Sequence, residues 1–392
     1  MIKLKNKHPL IRSIILLLSI TGCSKGDSVN PAGEQPYTLA IAVQEKSSLQ
    51  TRTSVFDPDD KTLKGRQHVT RIQLYVYEQD DSGTDYTCVA TEDVKWEHLQ
   101  GAMDGLETKK QKYNTQYQGY KEGMKYRFVA MGYDDTYSGS SDTPTFDNAN
   151  SVAAYGDPAT QAAEGDKLSA GTFSLQGGAD ISLINQSELF AGAQTFTKTE
   201  LKNGTAVHKP IELNRRVAGV LGYFKGLPEK IENTAVAKVV LRLYAAQDTK
   251  VNFLPVLPAG HTDSKSVPDA EYTDYITSPY HETDKDGHII ATYTPGTADN
   301  FTLSAYLLPI IAPTGKNICT LELAVQDVAG NDLAVRRVLY TPIEQQSITR
   351  NGTGIIGDEK NARMQYPLRA NQFYRIGTKG KPVDLSGQSS DI

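Results

Sequence analysis

The sequence predicts an all-β protein built from two antiparallel β-sandwich domains. Short runs of alternating apolar and polar residues recur along the 392-residue chain, and turn-forming residues separate them. The composition favours strands and tight turns, with 21 Tyr and 32 Gly beside 5 Met and 1 Trp. Since no stretch has a convincing helical period beyond about three turns, packed helices are not expected.

Residues 1–22 have the pattern of a secretion signal. Four basic residues and no acidic one precede an apolar core that runs from residue 14 to residue 20. This core is too short to cross a bilayer, which is typical of a cleaved signal peptide. Removing the four positive charges changes the net charge from -5 to -9. A negatively charged chain is a poor general binder of nucleic acid, so we expect no nucleic-acid partner.

Cys23 follows the signal directly, in the order Ile20-Thr21-Gly22-Cys23. This order resembles a bacterial lipobox, in which cleavage before the cysteine is coupled to acylation of its thiol. Each buried acyl methylene stabilises such an anchor by about 0.8 kcal/mol. We therefore predict lipidation of Cys23, with palmitate as a typical chain, and a polar tether over residues 23–36. The alternative is an ordinary signal peptide followed by a chance cysteine.

The first sandwich is predicted over residues 37–205. Its first strand, Tyr37–Val43, alternates so that Leu39, Ile41 and Val43 share one face. The later predicted strands of this half are Val69–Glu78, Tyr86–Trp96, Lys112–Tyr120 and Lys125–Tyr133. After a long loop region, the pair Asn203-Gly204 predicts a hairpin turn.

The second sandwich is predicted over residues 206–392. Ile211–Phe224 is predicted as one central strand, because it is apolar on both faces after Arg216. The later predicted strands are Ala235–Ala246, Phe301–Pro309, Ile318–Val328, Leu333–Tyr340 and Gln372–Gly377. Ala329–Asp332 is the clearest hairpin turn, and Lys379–Ile392 is predicted to be a polar tail.

Cysteines and metal-like motifs offer little chemistry. Cys88 and Cys319 lie in strand-like runs far apart in the sequence, and two separate buried thiols are favoured over a disulfide. Within His281–His288, Asp284 and Asp286 have the spacing of a calcium loop. The loop's glycine is at the wrong offset and its terminal glutamate is missing, so a solvated turn is favoured over a metal site. No cofactor is predicted.

Catalytic motifs are also absent from the sequence. It contains no phosphate loop, dinucleotide fingerprint, serine elbow or zinc-protease helix. The acidic groups Asp57–Asp60 and Asp80-Asp81 are interpreted as exposed turns, and no carboxylate pair stands out for glycoside hydrolysis. We therefore predict a protein that is not an enzyme.

Two residue groups admit a functional and a structural interpretation. The pair Arg215-Arg216 is either a proteolytic site or, as we favour, a charged strand end outside the core. Four tyrosines form either a sugar-binding aromatic face or, as we favour, an ordinary strand surface. These tyrosines are Tyr113, Tyr117, Tyr120 and Tyr126.

Several segments together resemble the fimbrillin superfamily of Bacteroidales, whose members build type V pili. The segments occur in order through most of the mature chain, and their order and spacing carry the resemblance. They are the lipobox at Cys23, Arg71–Tyr77, Tyr126–Ala130, Glu188–Gly192 and Leu213–Ala218. The resemblance implies two transthyretin-like sandwiches of Greek-key topology in a lipoprotein of the outer membrane. It also implies a shaft, tip or anchor subunit that supports adhesion.

In this family, an arginine-specific protease removes the first strand of shaft and tip precursors, and a neighbouring subunit's donor strand enters the groove. Anchor subunits keep the first strand and the lipid. Here Arg52 follows the first strand, so Arg52 and Thr53 form a candidate processing site and Leu39, Ile41 and Val43 belong to a candidate removable strand. The alternative is that Arg52 is a loop arginine and the strand stays.

The predicted function is therefore that of a fimbrial anchor, tip or minor subunit assembled by donor-strand exchange. The tail Lys379–Ile392 has too little alternation for a strong donor strand, which weakens a main-shaft role. The predicted partners are other pilus subunits, the outer membrane and a host surface. The alternative is a surface glycan-binding lipoprotein, which would present exposed aromatic side chains to sugar rings.

Overall fold

A computed structural model gives the fold as all-β, as predicted. It describes residues 35–43, 69, 71–94, 110–133, 136–140, 143–147, 160–174, 189–244, 250–254, 280–281, 287–309, 317–318, 320–338, 341–342 and 368–386.

The strands of the first half include most of those that the alternation predicts. They are β1 (Thr38–Val43), β2 (Arg71–Gln79), β3 (Tyr86–Val94), β4 (Lys110–Asn114), β5 (Lys125–Tyr133), β6 (Thr136–Ser140), β7 (Thr143–Asp147), β8 (Thr172–Ser174), β9 (Leu189–Thr197) and β10 (Ile211–Arg215). A 3-10 turn spans Leu168–Ala170, and two short helices, α1 (Lys198–Lys202) and α2 (Thr205–His208), lie between β9 and β10.

The second half continues with short strands. They are β11 (Ala218–Lys225), β12 (Lys230–Ile231), β13 (Thr234–Ala235), β14 (Lys238–Tyr244), β15 (Lys250–Asn252), β16 (Tyr280–His281), β17 (His288–Tyr293), β18 (Asn300–Leu307), β19 (Asn317–Ile318), β20 (Thr320–Gln326), β21 (Asp332–Val338), β22 (Thr341–Pro342), β23 (Phe373–Ile376) and β24 (Val383–Asp384).

The first large sheet has seven strands in the order β3-β2-β5-β9-β10-β1-β4. Alternate residues of β5 face two different cores: Phe128 and Ala130 face the first, whereas Val129 and Met131 face the second. The first core also contains Leu201 of α1. The sheet is thus covered on both faces along its central strands.

The second half forms a sandwich of two sheets around its own core. One sheet has the order β18-β11-β23-β22, with β24 also paired to β11, and the other has the order β17-β14-β20-β21. Val220 and Leu303 from the first of these sheets meet Leu241 and Leu323 from the second. The opposite face of β11 contributes Leu221 to the core that it shares with the seven-stranded sheet.

The chain passes from the seven-stranded sheet to the sandwich at Arg216 and Val217. β10 pairs with β1 and β9, so the last strand of the first sheet lies beyond the predicted boundary at 205–206. The single strand predicted over Ile211–Phe224 is therefore two strands, because the chain changes sheets in its middle. The count of two domains and the transthyretin-like topology stay predictions.

The Asn203-Gly204 hairpin prediction is wrong. Thr197 and Glu200 form a reciprocal capping box that starts α1, and Asn203 ends this helix. Gly204 has φ +82° and precedes α2, so the glycine links two helical turns rather than two strands. The capping box, a signal that spans only four residues, decides this local structure.

Two other segments differ from their predictions. The strand predicted over Lys112–Tyr120 stops at Asn114, because the next residues turn to place tyrosines in the core. The predicted polar tail adds β24 to the sandwich, and its Leu385 is 3% exposed. By contrast, the hairpin at Ala329–Asp332 is confirmed, since β20 and β21 pair on either side of it.

Candidate functional site

The first strand of the fold lies inside the seven-stranded sheet rather than at its edge. β1 runs parallel to β10, with Ile41 opposite Ile211, and antiparallel to β4, with Ile41 opposite Gln111. Among the described residues, β4 has β1 as its one ladder partner. β1 is therefore a bridge: without it, the hydrogen-bonding edges of both β10 and β4 would be open.

Both faces of β1 are buried. Leu39, Ile41 and Val43 point into the first core and are at most 1% exposed, as the alternation predicts. Ala40 and Ala42 on the other face are also buried, at 0% and 3% exposed. The position of β1 thus accepts large apolar side chains on one face and small side chains on the other.

An aromatic cluster packs at the N-terminal end of β1. The ring of Tyr37 lies 4.6 Å from that of Tyr120, which lies 4.8 Å from both Tyr117 and Tyr126. The ammonium of Lys202 lies 5.1 Å from the centre of the Tyr37 ring. Tyr120 and Tyr126 are 4% and 0% exposed, so this cluster is part of the core.

Both interpretations of the tyrosines as a surface are therefore wrong for Tyr120 and Tyr126. The Tyr120 hydroxyl donates to Thr115 at 2.9 Å, and that of Tyr126 donates to Glu78 at 2.8 Å. Burial raises the pKa of both tyrosines above its usual value, so both hydroxyls stay protonated at neutral pH. Alternation cannot predict this cluster, because most of the segment that holds it is not a strand.

A buried carboxylate joins the two outer strands of the seven-stranded sheet. Glu92 of β3 accepts hydrogen bonds from the backbone N–H groups of Gln116 and Tyr117, at 3.0 and 2.9 Å, just beyond β4. Glu92 is 4% exposed. The sheet therefore curls until its first and last strands meet, and β4 keeps this attachment in addition to its ladder with β1.

The predicted charged strand end at Arg215-Arg216 is wrong, since the two side chains are 2% and 1% exposed. The Arg215 guanidinium lies 5.1 Å from the ring centres of both Phe190 and Phe373. Arg216 donates from Nη2 to the carbonyl oxygen of Asn252 at 3.0 Å. Sequence pattern missed these contacts because the partners lie far away along the chain.

The remaining predicted residues are only partly described. Cys23, Arg52 and Thr53 lie outside the described residues, as do Cys319, Asp57–Asp60, Asp284 and Asp286. Cys88 is a buried free thiol, and burial raises its pKa to about 11. Asp80 forms the predicted turn, where it accepts from Ser82 at 2.7 Å.

The two histidines of the calcium-like segment lie in different strands. His281 lies in β16 and His288 in β17. Within the ranges that the structure describes, no three His, Cys, Asp or Glu side chains are grouped to hold a metal ion. In those ranges there is also no helix with the length and apolar character needed to cross a membrane.

A polar pocket lies beside β9 and β10, away from β1's ladder with β4. Its volume is about 540 Å³, and charged and amide side chains make up much of its wall. Its described lining residues include Arg127, Gln194, His208, Lys209, Glu212 and Asn214. The sequence pattern did not identify this pocket, because its residues come from four separate segments of the chain.

Comparisons with known proteins give structural neighbours only. The chain matches no protein-family model, and no curated protein matches it in sequence. A candidate adhesin from Bacteroides ovatus has a TM-score of 0.35 and 16% identity, covering 69% of this chain and 70% of that one. A fimbrial assembly protein from Parabacteroides distasonis has a TM-score of 0.31 and 11% identity, covering 78% of this chain and 100% of that one.

Another neighbour is described as a set of candidate polysaccharide-binding proteins from Bacteroides thetaiotaomicron. Its TM-score is 0.29 at 14% identity, with coverage of 69% of this chain and 71% of that one. Because all three TM-scores lie below 0.5, the similarity carries no weight for function.

Proposed function

We propose that this chain is a structural subunit of a cell-surface fimbria and that β1 is the strand exchanged during assembly. The observation that carries the proposal is the position of β1, which comes first in the described fold and yet lies between β10 and β4. A strand from a neighbouring subunit that replaced β1 would regain both ladders and the apolar pocket.

The register of β1 defines what such a donor strand must do. The donor strand must run parallel to β10 and antiparallel to β4, and it must cover the positions of Thr38–Val43. It must carry large apolar residues at the positions of Leu39, Ile41 and Val43, and small residues at the positions of Ala40 and Ala42. This pattern limits the donor more strictly than apolar alternation alone, since a large side chain on the small face would overpack it.

Export and anchoring complete the proposed role. Lipidation at Cys23 would attach the chain to the outer membrane, and cleavage between Arg52 and Thr53 would detach β1 from the rest of the fold. An anchor subunit keeps the lipid and β1, whereas a tip or minor subunit loses both. We propose a role in assembly and adhesion without catalysis.

The N-terminus of the protein in cells tests this proposal. Surface filaments are purified, and the mass and N-terminal sequence of this chain within them are determined. A chain that begins at Thr53 and co-purifies with other filament subunits is the result expected from the whole proposal. A diacylated chain that begins at Cys23 and co-purifies would support an anchor subunit but would contradict the exchange of β1. A chain that is found only apart from any filament would contradict the proposal.

Glycan binding is a second candidate function, but the tyrosines do not support it. Tyr120 and Tyr126 are buried in the aromatic cluster, so their faces are not available to sugar rings. The polar pocket beside β9 and β10 is the observation that favours a saccharide ligand.

A further inference from the structure

We propose that the pocket beside β9 and β10 binds a carboxylate-bearing saccharide, such as a uronate-terminated disaccharide. The pocket is open to solvent, and residues of β5, β9 and β10 line it. Leu254 and Ala191 form its apolar side, next to that core. At about 540 Å³ the pocket has the size of ordinary small-ligand sites, which range over roughly 300–1,000 Å³.

Arg127 supplies the reason to expect an anion. Its side chain lines the pocket, and its Nε is buried with no hydrogen-bond partner among the described residues. A buried donor that is left unpaired costs free energy, and a ligand acceptor would remove that cost. The guanidinium is planar and presents paired donors, which match a carboxylate better than they match a neutral hydroxyl.

The end of α2 adds a second permanent positive charge, that of Lys209, to the pocket lining. His208 and Lys209 are exposed where α2 ends, directly before β10. The ammonium of Lys209 lies 3.6 Å from Glu200 and its side chain is 59% exposed, so it can turn toward a bound anion. Two permanent cations therefore face a single pocket carboxylate, that of Glu212.

The other polar groups suit hydroxyls. Gln194 and Asn214 offer amide donors and acceptors, and Glu212 offers an exposed carboxylate that accepts from hydroxyl groups. The described lining includes no Phe, Tyr or Trp, so the pocket lacks the large aromatic stacking face that favours neutral sugar rings. A hydroxylated ligand with one carboxylate fits both the cations and the amides.

Calorimetry with the exported full-length chain tests this assignment. Cellobiouronic acid is compared with its neutral counterpart, cellobiose, and with succinate, which has the charge but no sugar ring. We expect saturable binding of cellobiouronic acid, at least about tenfold tighter than that of either comparison ligand. Equal binding of cellobiose or of succinate would overturn the assignment, because the site would then recognise only one part of the ligand.

Substitutions locate the site. Arg127→Gln should weaken binding about tenfold or more, and Lys209→Gln should weaken it to a smaller extent. Lys230→Gln removes the same charge from an exposed residue outside the pocket lining and should leave binding unchanged. Arg127 lies in an inner strand, so thermal unfolding is used to check that the Arg127→Gln protein folds. If that protein does not fold, the affinity of Lys209→Gln alone tests the location of the site. Normal affinity in both pocket variants would overturn the assignment.

Discussion

The first strand, β1, and the C-terminal strands β23 and β24 occupy comparable places but are held in different ways. β1 runs parallel to β10 in the seven-stranded sheet, and β23 and β24 run parallel to β11 in the sandwich. In each case, a strand from near one end of the described chain pairs with a strand from the middle of the chain. The difference lies in the side chains.

β23 and β24 are held by specific polar contacts. Arg215 donates from Nη1 to Oδ1 of Asn371, just before β23, at 3.3 Å, and the Lys225 ammonium lies 3.2 Å from the Asp384 carboxylate of β24. Beyond β24, Arg336 donates to the carbonyl oxygen of Leu385 at 3.1 Å. A foreign strand would have to reproduce each of these donors and acceptors.

β1, by contrast, has the sequence Thr-Leu-Ala-Ile-Ala-Val and carries no charged side chain. Its backbone joins two ladders, and its Thr38 side chain makes an exposed hydrogen bond to Asn114 at 2.8 Å. Its buried apolar side chains fill a pocket that recognises size rather than hydrogen-bonding groups. Another strand of the same size pattern can satisfy such a site. Of the two inserted segments, β1 is therefore the one that another strand can replace more easily, because the C-terminal strands make side-chain contacts that are specific to their own sequence.

The largest expected effect comes from emptying the β1 pocket. Ile41 is 0% exposed, so Ile41→Ala should lower the free energy of unfolding by about 2–5 kcal/mol through lost burial and a residual cavity. Urea denaturation measures this change. Val328→Ala, at a residue that is 93% exposed, is the control and should change stability by less than about 0.5 kcal/mol. Equal losses at the two residues would contradict the burial of β1.

Overpacking the small face of β1 should have the next effect. Ala42 is 3% exposed, and Ala42→Leu should cost about 1–3 kcal/mol because the added side chain has no room. Ala235→Leu on β13, where the side chain is exposed, adds the same three carbons and is the matched gain in size. If Ala42→Leu is as harmless in urea denaturation as this control, the size rule for donor strands is wrong.

The polar contacts of β23 can be tested with a pair of hydroxyl deletions. Tyr374→Phe should cost about 1–2 kcal/mol, since it removes the buried hydroxyl that accepts a hydrogen bond from the Arg369 N–H. Tyr77→Phe removes a buried hydroxyl that has no hydrogen-bond partner among the described residues, so stability should stay within about 0.5 kcal/mol or rise. Thermal unfolding of both variants should separate them, and the opposite ranking would refute this difference.

The smallest effect concerns acid. A hydrogen bond from Arg242, at 2.7 Å, holds the pKa of Asp332 below its usual value, although burial opposes this shift. The Asp332 contribution to stability is therefore complete above the unfolded pKa, near about 4, and is lost as the pH falls through the lower folded pKa. Asp332→Asn should flatten the loss of stability in this acid range, as measured by urea titrations at several pH values.

β1 supplies the control for this acid dependence. It contains no ionisable side chain, so variants of Ala42 should keep the slope of stability against pH close to that of the unchanged protein. If the slope of stability against pH changed in the Ala42 variants and not in Asp332→Asn, Asp332 would not be the source of the acid sensitivity.

Local patterns predict the strands well and their partners poorly. Alternation identifies β1 and the face that Leu39, Ile41 and Val43 share, and the turn residues identify the β20–β21 hairpin. Alternation does not encode which distant strand pairs with β1. The parallel ladder with β10 joins residues about 170 positions apart, and only the packed fold specifies it.

Buried charges and rings explain the other differences. Arg215 is placed in the core because Phe190 and Phe373 cover its two sides, and these residues are distant in sequence. Tyr120 is likewise buried by rings from β1's flank and from β5. A sequence pattern scores an arginine or a tyrosine by its own polarity, so it assigns both to the surface.

Replacement of β1 in the full chain tests the central claim most directly. A specific protease site is introduced between residues 44 and 52, the chain is cut there, and a labelled peptide of residues 35–43 is added. We predict that the cut protein exchanges its own strand for the peptide, whereas the uncut protein does not. A matched peptide with leucine in place of Ala42 should enter much less. If the cut protein stays folded and takes up no peptide, or takes up both peptides equally, the proposed exchange of β1 is contradicted.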